Sequence, residues 1–144
     1  AILRGTIRSF NSHTQALIER SIERLCQGVA TTFGAQILVS FAHRYPPTVN
    51  RSRETGVCLG VARAVLGTDK VRQHELPSMG AEDFAYMLRE KPGCYVWLGN
   101  GPGNGGCTLH NPHYDFDDEI LSLGVSYWVA LVKEYFAGFA ASAT

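Results

Sequence analysis

Asn11-Ser12-His13-Thr14-Gln15-Ala16-Leu17-Ile18 is where the apolar period of this chain changes, and the fold is read outward from it. Ser12 can accept from the backbone N–H three residues on and Gln15 can reach back, the capping-box pattern of a helix start. Ile18, Ile22, Leu25, Val29 and Phe33 follow at helical spacing, with Glu19, Arg20, Glu23, Arg24 and Gln27 on the wet side and Gly34 as the stop. Before this helix, Leu3, Gly5 and Ile7 alternate with Arg4, Thr6 and Arg8. After it, Ile37, Val39 and Phe41 alternate with Leu38, Ser40 and Ala42. A period of two predicts half-buried strands, so residues 1–50 are expected to form a strand-helix-strand layer.

Arg44-Tyr45-Pro46-Pro47-Thr48-Val49-Asn50 breaks that pattern, and its paired prolines favour an extended connector. A domain boundary is expected just after it. Beyond the boundary a helix is predicted from about Glu54 to Leu66, with Val57, Val61 and Val65 on one stripe. A short strand around Val71 follows, then a helix that carries Glu82, Phe84, Tyr86, Met87 and Leu88 until Lys91-Pro92-Gly93, and a compact strand Cys94-Tyr95-Val96-Trp97-Leu98. The last helix is expected to start near Asp117 or Asp118, with Leu121, Gly124, Trp128, Leu131 and Tyr135 as its core stripe. Ala137 to Thr144 is expected to fray. The fold class is therefore α/β, in two parts: residues 1–50 and residues 51–144.

A chain of 144 residues with 45% hydrophobic residues can build a core of ordinary size. Thirteen basic and thirteen acidic side chains cancel, which leaves no basic footprint for nucleic acid. No apolar run reaches the roughly 18 residues that suggest a membrane span, so no membrane partner is expected. Cys26, Cys58, Cys94 and Cys107 are scattered without a C-x-x-C pair, which argues against a zinc ribbon or redox motif. Free thiols in a reducing, cytoplasmic setting are expected instead. Ala1-Ile2-Leu3-Arg4-Gly5 reads as the middle of a strand, so the chain is expected to begin inside a domain.

Gly101, Gly103 and Gly106 match the G-x-G-x-x-G spacing of a dinucleotide site. Such a site needs a helix opening at those glycines, and Pro112 stands against one, so a loop at the rim of a site is expected. His110, His113, Asp115, Asp117, Asp118 and Glu119 lie within ten residues and are ligand types for zinc, manganese or cobalt. The count is the weakness: a catalytic zinc takes three protein ligands, and His13, His43 and His74 are far off along the chain. Structural roles stand beside the metal reading, with Asp117 and Asp118 capping the last helix and His113 bonding a loop. No G-x-S-x-G elbow is present, and no cysteine has an evident histidine partner.

Met79-Gly80-Ala81-Glu82-Asp83-Phe84, Tyr95-Val96-Trp97-Leu98-Gly99-Asn100-Gly101 and Leu109-His110-Asn111-Pro112-His113-Tyr114-Asp115-Phe116 together resemble one family. It is the metallopeptidase family of aminoacylase, hippurate hydrolase, carboxypeptidase G and the plant auxin-conjugate amidohydrolases. Gly5-Thr6-Ile7-Arg8-Ser9-Phe10 and Tyr45-Pro46-Pro47-Thr48-Val49-Asn50 are similar to its hippurate-hydrolase-like branch, so the resemblance runs along nearly the whole chain.

The resemblance implies that residues 1–50 are the second half of a small lid that also dimerises. Residues 51–144 are then the C-terminal part of a zinc-peptidase-like catalytic domain. It implies hydrolysis of the amide bond of N-acyl amino acids or small peptides with divalent metal. His110 is the implied metal ligand, and Arg8 the implied grip on the substrate carboxylate, a task that suits a bidentate, permanently charged guanidinium. Glu82 and His113 are expected to border the site without binding metal. The family's other ligands and its general-base glutamate lie in a region that precedes this one, so the chain alone is expected to be an incomplete enzyme. Two further readings compete. One is a non-catalytic dimerisation or interaction module working as a homo-oligomer. The other is a small-ligand binding domain without metal.

Overall fold

A computed structural model describes residues 1–101 and 109–142. The elements in order are α1 (Ser12–Phe33), α2 (Ser52–Leu66), a 3-10 turn (Thr68–Lys70), α3 (Phe84–Glu90) and α4 (Ile120–Ser142). The chain divides into two compact units. The first joins Ala1–Val49 to Leu76–Lys91, and the second joins Asn50–Glu75 to Pro92–Thr144.

In the first unit, α1 begins one residue earlier than the capping box predicts. Asn11 is the cap, and its Oδ1 accepts from the Thr14 N–H at 2.8 Å. Ser12 is already helical, and Gln15 donates to Glu19 Oε1 at 2.9 Å rather than reaching back. Asn caps a helix about as well as Ser, and the residue nearer the turn takes the role. Gly34 ends the helix at φ 60°, left-handed backbone that glycine adopts without a Cβ penalty. The covered stripe runs through Ile18, Ile22, Cys26 and Ala30, whereas Leu25, Val29 and Phe33 face outward.

The predicted strand-helix-strand layer is not formed: among the described residues there is no strand. The physical reason is that a strand is a property of a pair. Residues 3–8 and 37–42 keep their apolar alternation, but their backbone groups enter no ladder, and the backbone bonds outside the helices are mostly turns and caps. The alternation survives in exposure alone. Ile37 and Val39 are far better covered than Leu38, which is almost fully exposed. The segments expected as strands near Val71 and at residues 94–98 lack a ladder in the same way. The α/β expectation is therefore corrected to a helical arrangement with extended connectors.

Tyr86 on α3 donates to the Arg44 carbonyl, its ring lies 6.2 Å from that of Tyr45, and the Arg89 guanidinium sits over it at 5.8 Å. These contacts fasten α3 to the proline connector within the first unit.

In the second unit α2 packs on α4, with Cys58, Val61 and Tyr127 buried. The better-covered residues of α4 include Ile120, Gly124, Tyr127 and Leu131, and Trp128 and Tyr135 are exposed, contrary to the predicted stripe. The helix is apolar nearly all round, so period alone does not choose its inner face. By length and composition Ile120–Gly138 could cross a membrane, which corrects the expectation that no stretch is long enough. Tyr127 on it is buried, and most of the rest of the helix is exposed. The tail expected to fray from Ala137 is instead helical to Ser142, and residues 143 and 144 lie outside the described residues, as do Gly103, Gly106 and Cys107 of the glycine-rich loop and Thr108.

Candidate functional site

The loop that carries His110 is pinned by two asparagines. Asn111 Oδ1 accepts from the His113 N–H at 2.9 Å, and the Asn111 carbonyl accepts from the Tyr114 N–H at 3.0 Å, a side-chain turn followed by a backbone turn. Further along, Asn100 donates through Nδ2 to the Asp115 carbonyl at 3.0 Å and accepts through Oδ1 from the Asp117 N–H at 2.7 Å. One primary amide thus satisfies a donor and an acceptor of the opposing backbone, as a neighbouring strand would. Asp117 Oδ1 then accepts from the Glu119 N–H at 3.0 Å. Glu119 precedes the first helical residue, Ile120, so this bond is a side-chain turn ahead of α4 and not the expected cap on the helix.

His110 has φ 67°, and it is the one non-glycine residue with positive φ among the described residues. Histidine enters this region more readily than most residues, yet such strain persists only where the surroundings hold it, and it collects at functional sites. The side chain is exposed, and among the described residues its imidazole has no hydrogen-bond partner. It is free to offer a ring nitrogen to a metal. His113 and Asp115 share the loop and are exposed, but no group of three or more histidine, cysteine or carboxylate ligands assembles among the described residues. Among the described residues His110 is thus an exposed imidazole that stands outside any group of three or more metal-ligand types.

Arg8 lies in the first unit. Its Nη1 donates to the Met79 carbonyl at 2.6 Å, and the other guanidinium donors stay available. Met79 is three residues before Glu82, which is half-buried and whose carbonyl accepts from the Ala85 N–H at the entry to α3. So Arg8 is drawn to the Met79–Phe84 stretch, while His110 and His113 share a loop of the second unit.

Asn50 and Asn100 are bracing positions that sequence reasoning did not single out. Asn50 grips Tyr95 from both sides, donating to its carbonyl at 2.9 Å and accepting from its N–H at 2.8 Å. Both asparagines stand inside quoted motifs, and that was the available signal. A groove of about 610 Å³ between α2 and α4 is lined by Arg53, Gly56, Gly60, Ala64, Ala130 and Glu134 among others, and no histidine reaches it.

Comparison with known proteins gives a consistent picture. The profile of Peptidase family M20/M25/M40 matches residues 10–134. The chain is 32% identical over 128 residues to an N-acetyldiaminopimelate deacetylase of Oenococcus oeni, covering 87% of this chain and 32% of that protein. It is 27% identical over 135 residues to the hippurate hydrolase of Campylobacter jejuni, covering 94% and 34%. It is 30% identical over 131 residues to the N-acetylcysteine deacetylase of Bacillus subtilis, covering 91% and 33%. The chain spans about a third of the length of the curated relatives it matches. No solved structure matches it significantly.

Proposed function

The chain belongs to Peptidase family M20/M25/M40, and from that membership we propose that it is the C-terminal third of an amidohydrolase that cleaves N-acyl amino acids or short peptides. Relatives named for hippurate, N-acetyldiaminopimelate and N-acetylcysteine support this substrate class, in which an amide joins an acyl group to an amino acid that keeps its carboxylate. Residues 1–50 serve as the second half of the lid and residues 51–144 as the returning part of the catalytic domain. A second copy of the chain is the partner proposed for the lid.

A divalent ion, zinc, manganese or cobalt, supplies Lewis-acid polarisation of the substrate carbonyl and of water when bound. The chain's own residues do the rest of what falls to them. His110 would hold the ion through a ring nitrogen, on the loop that Asn100 and Asn111 pin. Arg8 keeps one N–H on Met79 and gives its remaining donors to the substrate carboxylate, orienting the amide before reaction. Glu82 and His113 border the site and shape its polarity.

The observation that carries the proposal is His110: an exposed imidazole, without a hydrogen-bond partner among the described residues, on backbone held at φ 67° within the stretch that the family profile matches. The test is hydrolysis. The intact enzyme, supplied with zinc, manganese or cobalt, is incubated with N-acetyl and N-benzoyl amino acids, and released amino groups are measured. Release that a chelator stops is expected, with a drop of about a hundredfold or more in His110→Ala. No release from any member of the panel would contradict the proposal.

A further inference from the structure

Within the first unit, Arg8 is tied at one point, and the peptide that ties it is itself aimed. Its Nη1 donates to the Met79 carbonyl at 2.6 Å, the one hydrogen bond that the guanidinium makes among the described residues. Residues 3–8 enter no strand ladder, so no sheet fixes the arginine from behind. Residues 72–81 are exposed throughout, so packing does not aim the Met79 carbonyl either.

A hydrogen bond aims it. The Met79 C=O and the Gly80 N–H belong to one planar trans peptide unit and point to opposite sides of it. The Gly80 N–H donates to Ser78 Oγ at 3.1 Å, a serine side-chain turn that closes over Met79. Holding the N–H on the serine turns the carbonyl to the other side, where Arg8 meets it. A Cβ on Gly80 would come within 3.3 Å of Ser78 Oγ, closer than most Cβ contacts, so glycine leaves the turn its room. Downstream, the same stretch runs into α3, which is fixed by the buried Ala85 and Leu88 and by the bond from Tyr86 to the Arg44 carbonyl. The Met79–Gly80 peptide is thus held from one side by a packed helix and from the other by one hydroxyl.

We propose that Ser78 is a positioning residue for the substrate carboxylate, acting through the Met79–Gly80 peptide and Arg8. The inference rests on Arg8 being the carboxylate grip. With Nη1 on Met79, the edge formed by Nε and Nη2 is left to take a carboxylate through two parallel bonds. A loose arginine loses side-chain freedom when it does so, and one already tied at Nη1 loses less. Ser78 itself touches neither substrate nor metal. It keeps the guanidinium in place beforehand, so its effect falls on substrates that carry a carboxylate.

The metal-loaded intact enzyme tests this with two substrates, an N-acetyl amino acid and the same compound with a carboxamide in place of the carboxylate. Where the carboxamide is not cleaved, its inhibition constant against the first substrate replaces its KM. Ser78→Ala should raise KM for the carboxylate about three- to tenfold, the worth of one hydrogen bond, with kcat nearly unchanged. The value for the carboxamide should hardly move. Ser78→Thr, which keeps a hydroxyl at the turn, should behave as the parent. Added to Arg8→Ala, Ser78→Ala should have no further effect. An equal rise for both compounds, no rise for either, a Ser78→Thr enzyme as impaired as Ser78→Ala, or a Ser78→Ala effect that persists in the Arg8→Ala background would each overturn the proposal. Arg8→Ala alone separates the two ways of failing. If it abolishes the preference for carboxylate while Ser78→Ala leaves it whole, only the link through Ser78 is lost. If Arg8→Ala leaves the preference whole, the reading of Arg8 falls and takes this inference with it.

Discussion

His110, Arg8 and Tyr127 each carry an interaction balance that a single substitution can weigh. Arg8 spends one donor on the Met79 carbonyl, so its proposed grip on the substrate is already oriented before substrate arrives. Arg8→Ala in the intact enzyme should raise KM by about ten- to a hundredfold with a smaller change in kcat, because a carboxylate contact remote from the amide is made in ground and transition states alike. A fall in kcat alone would contradict that role. Tyr127 behaves differently. Burial raises its phenol above the ordinary value, and its hydroxyl lacks a partner of ordinary geometry. Tyr127→Phe should therefore leave stability unchanged or raise it by about 1 kcal/mol in denaturant titration; a clear loss would mean that a neighbouring group bonds the hydroxyl well. At this scale, His110 and Arg8 could be proposed from sequence because they stand in motifs whose residue types suit those roles, which the substitutions test. Asn50 and Asn100 could not, because an amide that replaces a strand neighbour has a role only once another stretch of backbone lies beside it.

Among the elements, α1 is fastened to the extended segment after it by His43, which pairs with Glu19 at 2.8 Å. The Gln15 amide, and then His43, hold the Glu19 carboxyl below the usual carboxylate value of 4.5. A depressed folded-state value means stability that is present above the unfolded-state value and is lost as pH falls through the folded one. The thermal midpoint should thus fall as pH drops below about 4.5, and Glu19→Gln should flatten that fall. Equal slopes in the two proteins would show that the pair contributes nothing. The helices were the legible elements, since a stripe of apolar residues and a closing glycine belong to the segment itself, as Gly34 and Gly67 illustrate. The strands were not. Alternation at Ile37, Val39 and Phe41 records which side is covered, and only a paired backbone turns it into a sheet. The inner face of α4 was missed for the opposite reason, an excess of apolar residues on every side.

Across the whole molecule, the extent of exposed apolar surface sets what the chain must meet. Trp97 and Trp128 are 63% and 61% exposed, alongside Leu76, Phe33 and Phe136. Large side chains are seldom left in water in such numbers without a covering surface. In the proposed intact enzyme that cover comes from the preceding part of the catalytic domain. Acrylamide should then quench tryptophan fluorescence strongly in this chain and weakly at these two positions in the intact enzyme. Equal quenching would show that the surface stays bare.

The central claim is that His110 is a metal ligand held in place at a conformational cost. It is tested most directly by elemental analysis of the intact enzyme and its His110→Gly variant after exchange into metal-free buffer. Glycine relieves the φ 67° backbone, so the variant should fold at least as stably as the parent. It should also have lost one tightly held divalent ion per chain. A variant that keeps its full complement of metal would contradict the claim.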